Sequence, residues 1–238
     1  MRKVVILAGG KGTRLAPYTV VFPKPLMPIG DIPILEVVIH QLSYYGFQDI
    51  TMAVGHLAEL VMAYFNDGDR LKVRISYSKE QKPLGTAGPL SLVPGLDDAF
   101  LVMNGDVLTD LNFARLVDFH RHNQATATIA THRRQVKIDL GVIESDNRNQ
   151  IVGYIEKPTY DFRVSMGIYV FEPKVLNYIP SGEYLDFPDL VLRLLEAGSE
   201  WLPTHSMATG WTSVDPMILH RQSRNFPACA TNFCSRIE

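Results

Sequence analysis

The segment Leu7-Ala-Gly-Gly-Lys-Gly-Thr-Arg-Leu15 directly follows an apolar run, Val4-Val5-Ile6-Leu7, near the start of the 238-residue chain. The run is short, rich in β-branched residues and ended by glycine, which predicts a buried parallel strand. Gly9, Gly10 and Gly12 let the backbone turn tightly and present its N–H groups, as in strand-to-helix loops that hold phosphate. The segment therefore predicts a phosphate-binding loop at the end of a first strand.

Two fixed positive charges accompany this loop. Arg14 lies within it, and Lys24 follows in Phe22-Pro-Lys-Pro-Leu26, with no acidic residue between them. Bare N–H groups, a guanidinium and an ammonium together favour a polyphosphate ligand. The order Gly-Lys-Gly-Thr does not match the P-loop. Leu15 stands where the dinucleotide fingerprint needs a third glycine. Both of these better-known phosphate loops are therefore excluded.

Apolar periodicity predicts an alternation of strands and helices along the first 131 residues. The predicted helices are 34–45, ending before Gly46, then 57–65 and 111–122, and the predicted strands after the first are 50–54, 73–77, 100–103 and 126–131. This order predicts an α/β fold with a mostly parallel, Rossmann-like sheet and helices on both faces. Ligands of such sheets bind beyond the carboxyl ends of the strands, where the glycine loop and Asp106 both fall.

Composition limits the function classes. A hydrophobic content of 46% supports a sizeable core, and a formal net charge of −2 argues against nucleic acid or an anionic membrane as partner. No apolar run approaches the ~20 residues of a membrane helix, and no signal peptide precedes the first strand, so we expect a cytoplasmic protein. The histidines predict no metal site, since His120 and His122 do not share a helix face and His40, His56 and His132 are isolated.

The combination Gly-Gly-x-Gly-Thr-Arg-Leu with a following Pro-Lys-Pro-Leu resembles the sugar-1-phosphate nucleotidylyltransferases, also called sugar-nucleotide pyrophosphorylases. Phe22-Pro-Lys-Pro-Leu26 and Leu84-Gly-Thr-Ala-Gly-Pro-Leu90 look most like mannose-1-phosphate guanylyltransferases. The resemblance implies a three-layer sandwich of the nucleotide-diphospho-sugar transferase type with a mixed sheet. It also implies the reaction of an NTP with a sugar 1-phosphate, giving an NDP-sugar and pyrophosphate.

Alternatives stay open within and beyond this family. Glucose-1-phosphate thymidylyl- or uridylyltransferases and enzymes acting on amino-sugar phosphates are close, and so is a nucleotide-sugar-binding regulatory protein without activity. A glycosyltransferase of similar fold would prefer an Asp-x-Asp metal motif, and Val107-Leu108 after Asp106 argues against it. The sequence leaves a homo-oligomer open.

The resemblance also assigns residues. Arg14 would neutralise the leaving pyrophosphate, Lys24 would bridge the α-phosphate, and Asp106 would bind Mg²⁺, which prefers hard oxygen ligands. A loop from Glu80 to Gly88 would line the base pocket, where glycine permits close approach to a flat ring. Residues implied to bind the nucleotide are Leu7, Ala8, Gly9, Gly10, Gly12, Thr13, Gln81, Gly85 and Gly105. Asp110 is expected to cap the following helix.

A third cluster would meet the sugar phosphate. In the resembled family the Glu-Lys-Pro segment binds it, the glutamate through sugar hydroxyls and the lysine through the phosphate. This implies roles for Glu156 and Lys157, together with Gly141 and with Gly167 in the apolar strand Ser165–Phe171. The alternative for Glu156 and Lys157 is a solvated ion pair, and the alternative for loop 80–88 is a surface connection before a helix at 89–93.

The resemblance ends at about Ala197, and we treat residues 1–198 as the nucleotidyltransferase domain. Both tryptophans and both cysteines, Cys229 and Cys234, lie in the last 40 residues. The family continues with a Tyr-Trp-x-Asp-Ile-Gly element, whose aspartate is the second magnesium ligand, and this element is missing. We expect residues 199–238 to be irregular and assign them no function.

The genetic code suggests a cause. Read from the third base of each codon, Met207–His220 permits GYWLDIGRPDDFA in one-letter form. In that frame Met207-Ala208 can encode only Gly, and Trp211-Thr212 and Met217-Ile218 can each encode only Asp. The hypothesis is that a frameshift near Gly198–Ser199 gave an aberrant tail, 199–238, in place of the native end of the same domain.

Overall fold

The computed structural model of the chain describes residues 3–198, 201–205 and 210–212. The strands are β1 Lys3–Leu7, β2 Pro28–Ile29, β3 Ile32–Pro33, β4 Asp49–Val54, β5 Arg74–Lys79, β6 Phe100–Asn104, β7 Val107–Thr109, β8 Ala127–Lys137, β9 Val142–Ser145, β10 Ile151–Ile155, β11 Thr159–Phe171, β12 Trp201–His205 and β13 Gly210–Thr212. The α-helices are α1 Ile34–Tyr44, α2 Ala58–Phe65, α3 Phe113–His122 and α4 Phe187–Glu196. Short 3₁₀ segments span Thr13–Leu15, Tyr18–Val20, Lys24–Leu26, Asp69–Leu71, Gly88–Leu92 and Pro173–Tyr178.

Seven strands form the central sheet in the order β12-β8-β11-β6-β1-β4-β5. β1 pairs in parallel with β4 and β6, and β4 pairs in parallel with β5. β11 runs antiparallel to both of its neighbours, β6 and β8, while β12 is parallel to β8. The sheet is therefore mixed and mostly parallel, as the alternation of elements predicts. The carboxyl ends of β1, β4, β5 and β6 meet along one edge.

Helices cover both faces of this sheet. On one face, α1, α2 and α3 bury their apolar stripes against alternate strand residues such as Val4, Ile6 and Met103. On the other face, α4 and the turns Gly88–Leu92 and Pro173–Tyr178 pack against the strand residues that point to that face, such as Val5 and Val102. Since successive strand residues point to opposite faces, a strand buried on both faces must be apolar throughout, as Val4–Ile6 is. The predicted three-layer sandwich is confirmed.

Element boundaries differ from the sequence-based expectation at a few points. α3 is capped by Asn112, whose Oδ1 accepts a hydrogen bond from the Arg115 N–H at 3.0 Å, so the expectation that Asp110 is the cap is wrong. The cap is set by the first residue whose side chain reaches a free helical N–H, which is two positions further on. The helix expected at 89–93 is a 3₁₀ turn, Gly88–Leu92.

The expectation of irregular structure after residue 198 is wrong for residues 201–205 and also for 210–212, which form β13 and pair with β7. Trp201–His205 forms β12, an edge strand paired with β8 in the central sheet. The Trp201 ring packs edge-on against Phe171, with ring centroids 6.0 Å apart. The backbone of this segment pairs with β8, which would otherwise have an unpaired edge. Residues 206–209 and 213–238, including both cysteines, lie outside the described residues, and the frameshift hypothesis is untested.

One part of the fold departs from the layers. The outer halves of β8 and β11, together with the β9–β10 hairpin, extend away from the helices as residues 133–163, which we call the arm. None of the arm residues is buried. Large apolar side chains that are exposed on it are Val136, Leu140, Ile143, Ile151, Val152, Tyr154, Ile155, Tyr160 and Phe162. The arm therefore contributes residues to the surface and none to the buried core.

Candidate functional site

The glycine loop leaves β1 at the carboxyl edge of the sheet and is held there by backbone bonds. The Ala8 N–H donates to the Ala53 carbonyl at 2.8 Å, and the His56 N–H donates to the Gly9 carbonyl at 3.1 Å. Gly12 has φ +60°, a left-handed conformation that favours glycine. The Thr19 hydroxyl donates to the Gly12 carbonyl at 2.9 Å. The loop is thus fixed by its neighbours before any ligand is bound.

Lys24 and Asp106 meet in one ion pair at this edge. Lys24 begins the 3₁₀ turn Lys24–Leu26, and Asp106 follows β6 after Gly105. The Gly105 N–H donates to the Leu7 carbonyl at 3.0 Å, which places Asp106 beside the end of β1. The two side chains are only 20% and 14% exposed. Two residues 82 positions apart in the chain therefore form one charged centre.

Loop 80–88 faces the glycine loop and is anchored by the carboxylate of Glu80. Its Oε2 accepts a hydrogen bond from the Leu84 N–H at 3.0 Å. A Cβ built on Gly9 would lie 2.9 Å from Oε1 of Glu80, and one built on Gly55 would overlap the same carboxylate. Burial raises the pKa of Glu80, and the Leu84 N–H offsets part of this rise. A partly buried acid thus lies between the two glycine loops.

These elements line a cavity, open on one side, of about 760 Å³. The predicted residues that line it are Leu7, Ala8, Gly9, Gly10, Gly12, Thr13, Lys24, Gln81, Gly85, Gly105 and Asp106. Its lining is mixed in chemistry, since it combines the glycine loop with three lysines and three acids, namely Lys11, Lys24, Lys82, Glu80, Asp106 and Asp186. Cavities of this size accept a ligand as large as a nucleotide. The fold brings the predicted nucleotide-site residues together in one place.

The predicted sugar-phosphate residues lie outside that lining. Lys157 and Glu156 form an ion pair with 3.5 Å between Nζ and Oε1, and each side chain is 58% exposed. The Tyr154 hydroxyl donates to Oε2 of Glu156 at 2.9 Å, and a Cβ on Gly141 would overlap that hydroxyl. Gly167, with φ +72°, packs against Asn104, which does line the cavity. The roles of these four residues stay predictions, and so does that of Arg14, whose side chain lies outside the described atoms.

Sequence reasoning assigned no individual role to eight polar residues that line the cavity: Lys11, His56, Glu80, Lys82, Thr86, Asn104, Tyr184 and Asp186. His56 lines the cavity, and its Nε2 lies 3.2 Å from the Thr19 carbonyl oxygen. His56 comes two residues after the end of β4, so the strand-end rule could have found it. Glu80 follows β5 in the same way. Asp186 lies far along the chain and carries no comparable signal.

A single protein carboxylate with room for phosphates suits Mg²⁺, which takes one or two carboxylates and completes its shell with phosphate oxygens and water. Asp106 meets that description, because it lies in the cavity beside a phosphate-type loop. Its carboxylate forms an ion pair with the Lys24 ammonium. No group of three or more metal-binding side chains occurs in residues 3–198, 201–205 and 210–212.

His120 belongs to the core, away from the cavity. Its Nδ1 lies 2.8 Å from the Thr128 hydroxyl, and its Nε2 lies 3.3 Å from Oε1 of Glu172. Burial lowers the pKa of His120, and the nearby Glu172 carboxylate opposes this. The ring therefore joins α3 to the strands beneath it. Among the described residues, no helix is long and apolar enough to cross a membrane.

Comparisons with known proteins agree with this geometry. The family profile described as "Nucleotidyl transferase" matches residues 3–214, past the point at which we expected the resemblance to end. A UTP–glucose-1-phosphate uridylyltransferase of Synechocystis sp. is 36% identical over 94% of this chain and 65% of the relative. A mannose-1-phosphate guanylyltransferase of Mycobacterium tuberculosis is 36% identical over 75% of this chain and 51% of the relative.

Solved structures share the fold. A proposed glucose-1-phosphate thymidylyltransferase of Bacillus anthracis, solved with sucrose, has a TM-score of 0.74 at 25% identity and covers 97% of this chain and 99% of its own. HddC of Yersinia pseudotuberculosis, solved with GMP-PN, has a TM-score of 0.71 at 21% identity over 95% and 100% of the two chains. This chain spans about half to two thirds of the curated relatives named above. It belongs to the nucleotidyl transferase family.

Proposed function

We propose that this protein transfers a nucleotidyl group from an NTP to a sugar 1-phosphate and releases pyrophosphate. The observation that carries this proposal is the Lys24–Asp106 pair facing the glycine loop across one cavity. A loop of N–H groups, an ammonium and one carboxylate suit a metal-bound triphosphate better than any neutral ligand. The relatives described above carry names that specify the same type of reaction.

The chemistry needs positioning and charge neutralisation more than proton transfer. A phosphate oxygen of the sugar 1-phosphate is already anionic near neutral pH, so it attacks the α-phosphorus of the NTP without a general base. The new bond joins that oxygen to the α-phosphorus, and the bond from the α-phosphorus to the β-phosphate oxygen breaks. Lys24 would hold the α-phosphate, and Arg14 would neutralise the pyrophosphate as it leaves.

Asp106 would hold Mg²⁺ in this scheme. The cation, when bound, supplies charge neutralisation to the triphosphate. Asp106 is placed for this by the Gly105–Leu7 hydrogen bond, which fixes the turn after β6. The Lys24 ammonium would pair with Asp106 in the empty cleft and with the α-phosphate when the nucleotide is bound.

For the base we propose guanine, with mannose 1-phosphate as the sugar substrate. Glu80 supports guanine, because an ionised carboxylate accepts from two adjacent donors, and the N1–H and N2–H₂ groups of guanine provide them. Uracil and thymine present one N–H between two carbonyl oxygens, which an acceptor-only group does not match. The M. tuberculosis relative favours the same pair of substrates, while the Synechocystis relative favours UTP and glucose 1-phosphate, the second candidate.

A second candidate function of another class is a nucleotide-sugar-binding protein without activity. The observation that favours it is the missing Tyr-Trp-x-Asp-Ile-Gly element, which would supply the second magnesium ligand in the resembled family. Such a protein would bind nucleotide in the same cleft but would not release pyrophosphate.

Pyrophosphate release distinguishes these candidates. The assay uses Mg²⁺ with five NTPs and a panel of hexose 1-phosphates, on this chain and on a chain with the alternative reading frame restored. Turnover by the restored chain alone supports both the transferase and the frameshift, and the best substrate pair tests the choice of GTP and mannose 1-phosphate. Turnover by both chains means that the missing aspartate is dispensable. No turnover by either folded chain refutes the transferase proposal.

A further inference from the structure

Loop 80–88 is attached to a second segment of the chain, residues 183–187, which we call the strap. The Ala87 and Gly88 N–H groups both donate to the Leu185 carbonyl, at 2.9 and 3.0 Å, and the Leu185 N–H donates to the Leu84 carbonyl at 3.0 Å. The strap lies about a hundred residues further along the chain and leads into α4. The loop that faces the glycine loop is therefore held from behind by a distant segment.

Side chains strengthen this attachment. Oδ1 of Asp186 accepts hydrogen bonds from the Thr86 N–H at 2.9 Å and from the Thr86 hydroxyl at 3.0 Å. Oδ2 of Asp186 accepts from the Tyr184 hydroxyl at 2.6 Å. Burial favours the neutral acid, but these hydrogen bonds outweigh it and hold the pKa of Asp186 below its usual value. The carboxylate is thus ionised and fully engaged.

Asp186 also breaks a local rule. It occupies the position that caps the N-terminus of α4, yet its side chain makes no hydrogen bond to that helix. The cap comes from Thr86, whose Oγ1 accepts from the Phe187 N–H at 2.8 Å. An aspartate at this position ordinarily accepts from its own helix. Asp186 thus bonds to Thr86, while Thr86 caps α4, and we call this set of hydrogen bonds the junction. Departures from the usual capping pattern are expected at functional sites.

The glycines of the loop fit the same arrangement. A Cβ on Gly85 would lie 2.6 Å from the Leu185 carbonyl oxygen and 2.9 Å from Oδ1 of Asp186, and one on Gly88 would lie 2.5 Å from the Glu183 carbonyl oxygen. Gly85 also has φ +78°. Both glycines of Leu-Gly-Thr-Ala-Gly are therefore required by the strap, whatever their distance from a bound base.

We propose that Asp186 is a positioning residue that fixes loop 80–88 through Thr86 and thereby sets the affinity of the cleft for the nucleotide. Asp186 and Tyr184 line the same cavity as Gln81 and Gly85, so a shift of the junction alters the cavity wall directly. This inference rests on the proposed function, since it takes the ligand of the cleft to be an NTP. It predicts an effect on nucleotide binding and none on the sugar phosphate.

The test compares Asp186→Ala, Asp186→Asn, Thr86→Val and the Asp186→Ala/Thr86→Val double variant. We expect Asp186→Ala to raise the KM for the NTP about tenfold, the worth of a hydrogen bond to a charged group, with kcat and the KM for the sugar phosphate changed less than twofold. Asp186→Asn keeps the Oδ1 acceptor and should stay within about threefold of the wild type. The double variant should have about the same KM for the NTP as the more affected single variant, because each single substitution already disrupts the same junction.

Asn112→Ala is the matched control, since it removes a true helix cap, on α3, that is not part of the cavity lining. It should lower stability without changing the KM for the NTP. Amide hydrogen exchange supplies a readout that needs no turnover: Asp186→Ala should speed exchange at Thr86, Ala87 and Gly88 and leave Arg115 unchanged.

Unchanged exchange at the loop amides, together with an unchanged dissociation constant for GTP by calorimetry, overturns the inference. Equal effects of Asn112→Ala and Asp186→Ala on nucleotide affinity overturn it as well, because they indicate general destabilisation. A wild-type chain that binds GTP but releases no pyrophosphate refutes the transferase proposal alone, since exchange and calorimetry still test the role of Asp186. Thr86→Val and Asp186→Asn supply the test if Asp186→Ala does not fold.

Discussion

The nucleotide cleft and the arm both hold residues that the sequence predicts to bind substrate, and the two regions differ in how they hold them. In the cleft, Lys24 and Asp106 are 20% and 14% exposed and stand on backbone that is hydrogen-bonded to neighbouring strands. On the arm, Glu156 and Lys157 are each 58% exposed and pair with each other. A preorganised centre needs little ordering when it binds, whereas exposed side chains must lose rotamer freedom first.

This difference in exposure predicts how strongly each region affects the reaction. The charges of the cleft are partly buried, so they act in a medium of lower dielectric than water and their effects are large. The arm residues are screened by solvent, where an isolated ion pair contributes little. We therefore expect substitution of Lys24 in the cleft to change turnover and substitutions on the arm to change the affinity for one substrate.

The largest effect is expected from Lys24→Ala. Removing one preorganised cation from the α-phosphate should lower kcat roughly 100- to 1,000-fold, as the loss of a single transition-state donor does in other enzymes. Steady-state pyrophosphate release measures it. Lys79→Ala is the control, because Lys79 pairs with Glu59 on the surface. A kcat unchanged by Lys24→Ala, and also by Arg14→Ala, would remove both residues from the mechanism.

The next prediction concerns the role of Glu80 in the choice of base. Glu80→Gln should lower the preference for GTP over UTP about tenfold or more, since a bidentate pair to a base is worth roughly 1–3 kcal/mol of discrimination. Burial raises the pKa of Glu80 above its ordinary 4.5, so its carboxylate forms, and GTP binding tightens, as the pH rises through that higher value. The variant should lose this pH dependence.

Competition between GTP and UTP, measured across the acid range, provides the comparison. Glu59→Gln is its control, because Glu59 is an exposed glutamate on α2. A variant that keeps both the preference for GTP and its pH dependence would show that Glu80 supports the loop only.

The arm is tested by Glu156→Ala and Lys157→Ala. Each should raise the KM for the sugar 1-phosphate about tenfold, the worth of a hydrogen bond to a charged group, and leave the KM for the NTP unchanged. Arg133 and Asp161 form another exposed ion pair on the same arm, with 2.7 Å between Nη2 and Oδ2, so Arg133→Ala is the matched control. Equal and small effects of all three variants would establish the solvated-ion-pair alternative.

The smallest effect is expected from Gly141→Ala. The added Cβ would overlap the Tyr154 hydroxyl and displace it from Glu156, at a cost of roughly threefold in the KM for the sugar phosphate. Tyr154→Phe removes the same hydrogen bond without a clash and should match it. A much larger loss in Gly141→Ala than in Tyr154→Phe would mean that Gly141 meets the substrate through its own backbone.

Whether an element could be predicted from the sequence depended on whether local or long-range interactions form it. The strands β1, β4, β5 and β6, the inner part of β8 and the helices α1 to α3 were predictable because each depends on a local pattern of apolar residues, whereas the short strands β2, β3 and β7 were not predicted. β12 was not, since Trp201–His205 becomes a strand only by completing the edge beside β8. The arm was not either, because the outer part of β8 carries no buried residue and therefore no alternating pattern.

The sequence by itself determined the glycine loop, the lysine and aspartate that face it, and the strands whose carboxyl ends bring them together. That was sufficient because parallel strands align their ends, so residues after each strand converge whatever the details of packing. Only the tertiary structure decided that the Glu80 carboxylate packs against Gly9 and Gly55, that His56 contacts the Thr19 carbonyl, and that Asp186 replaces a local cap with a bond to Thr86. These contacts join segments up to a hundred residues apart, and packing of the two layers against the sheet, which no local pattern encodes, sets their distances.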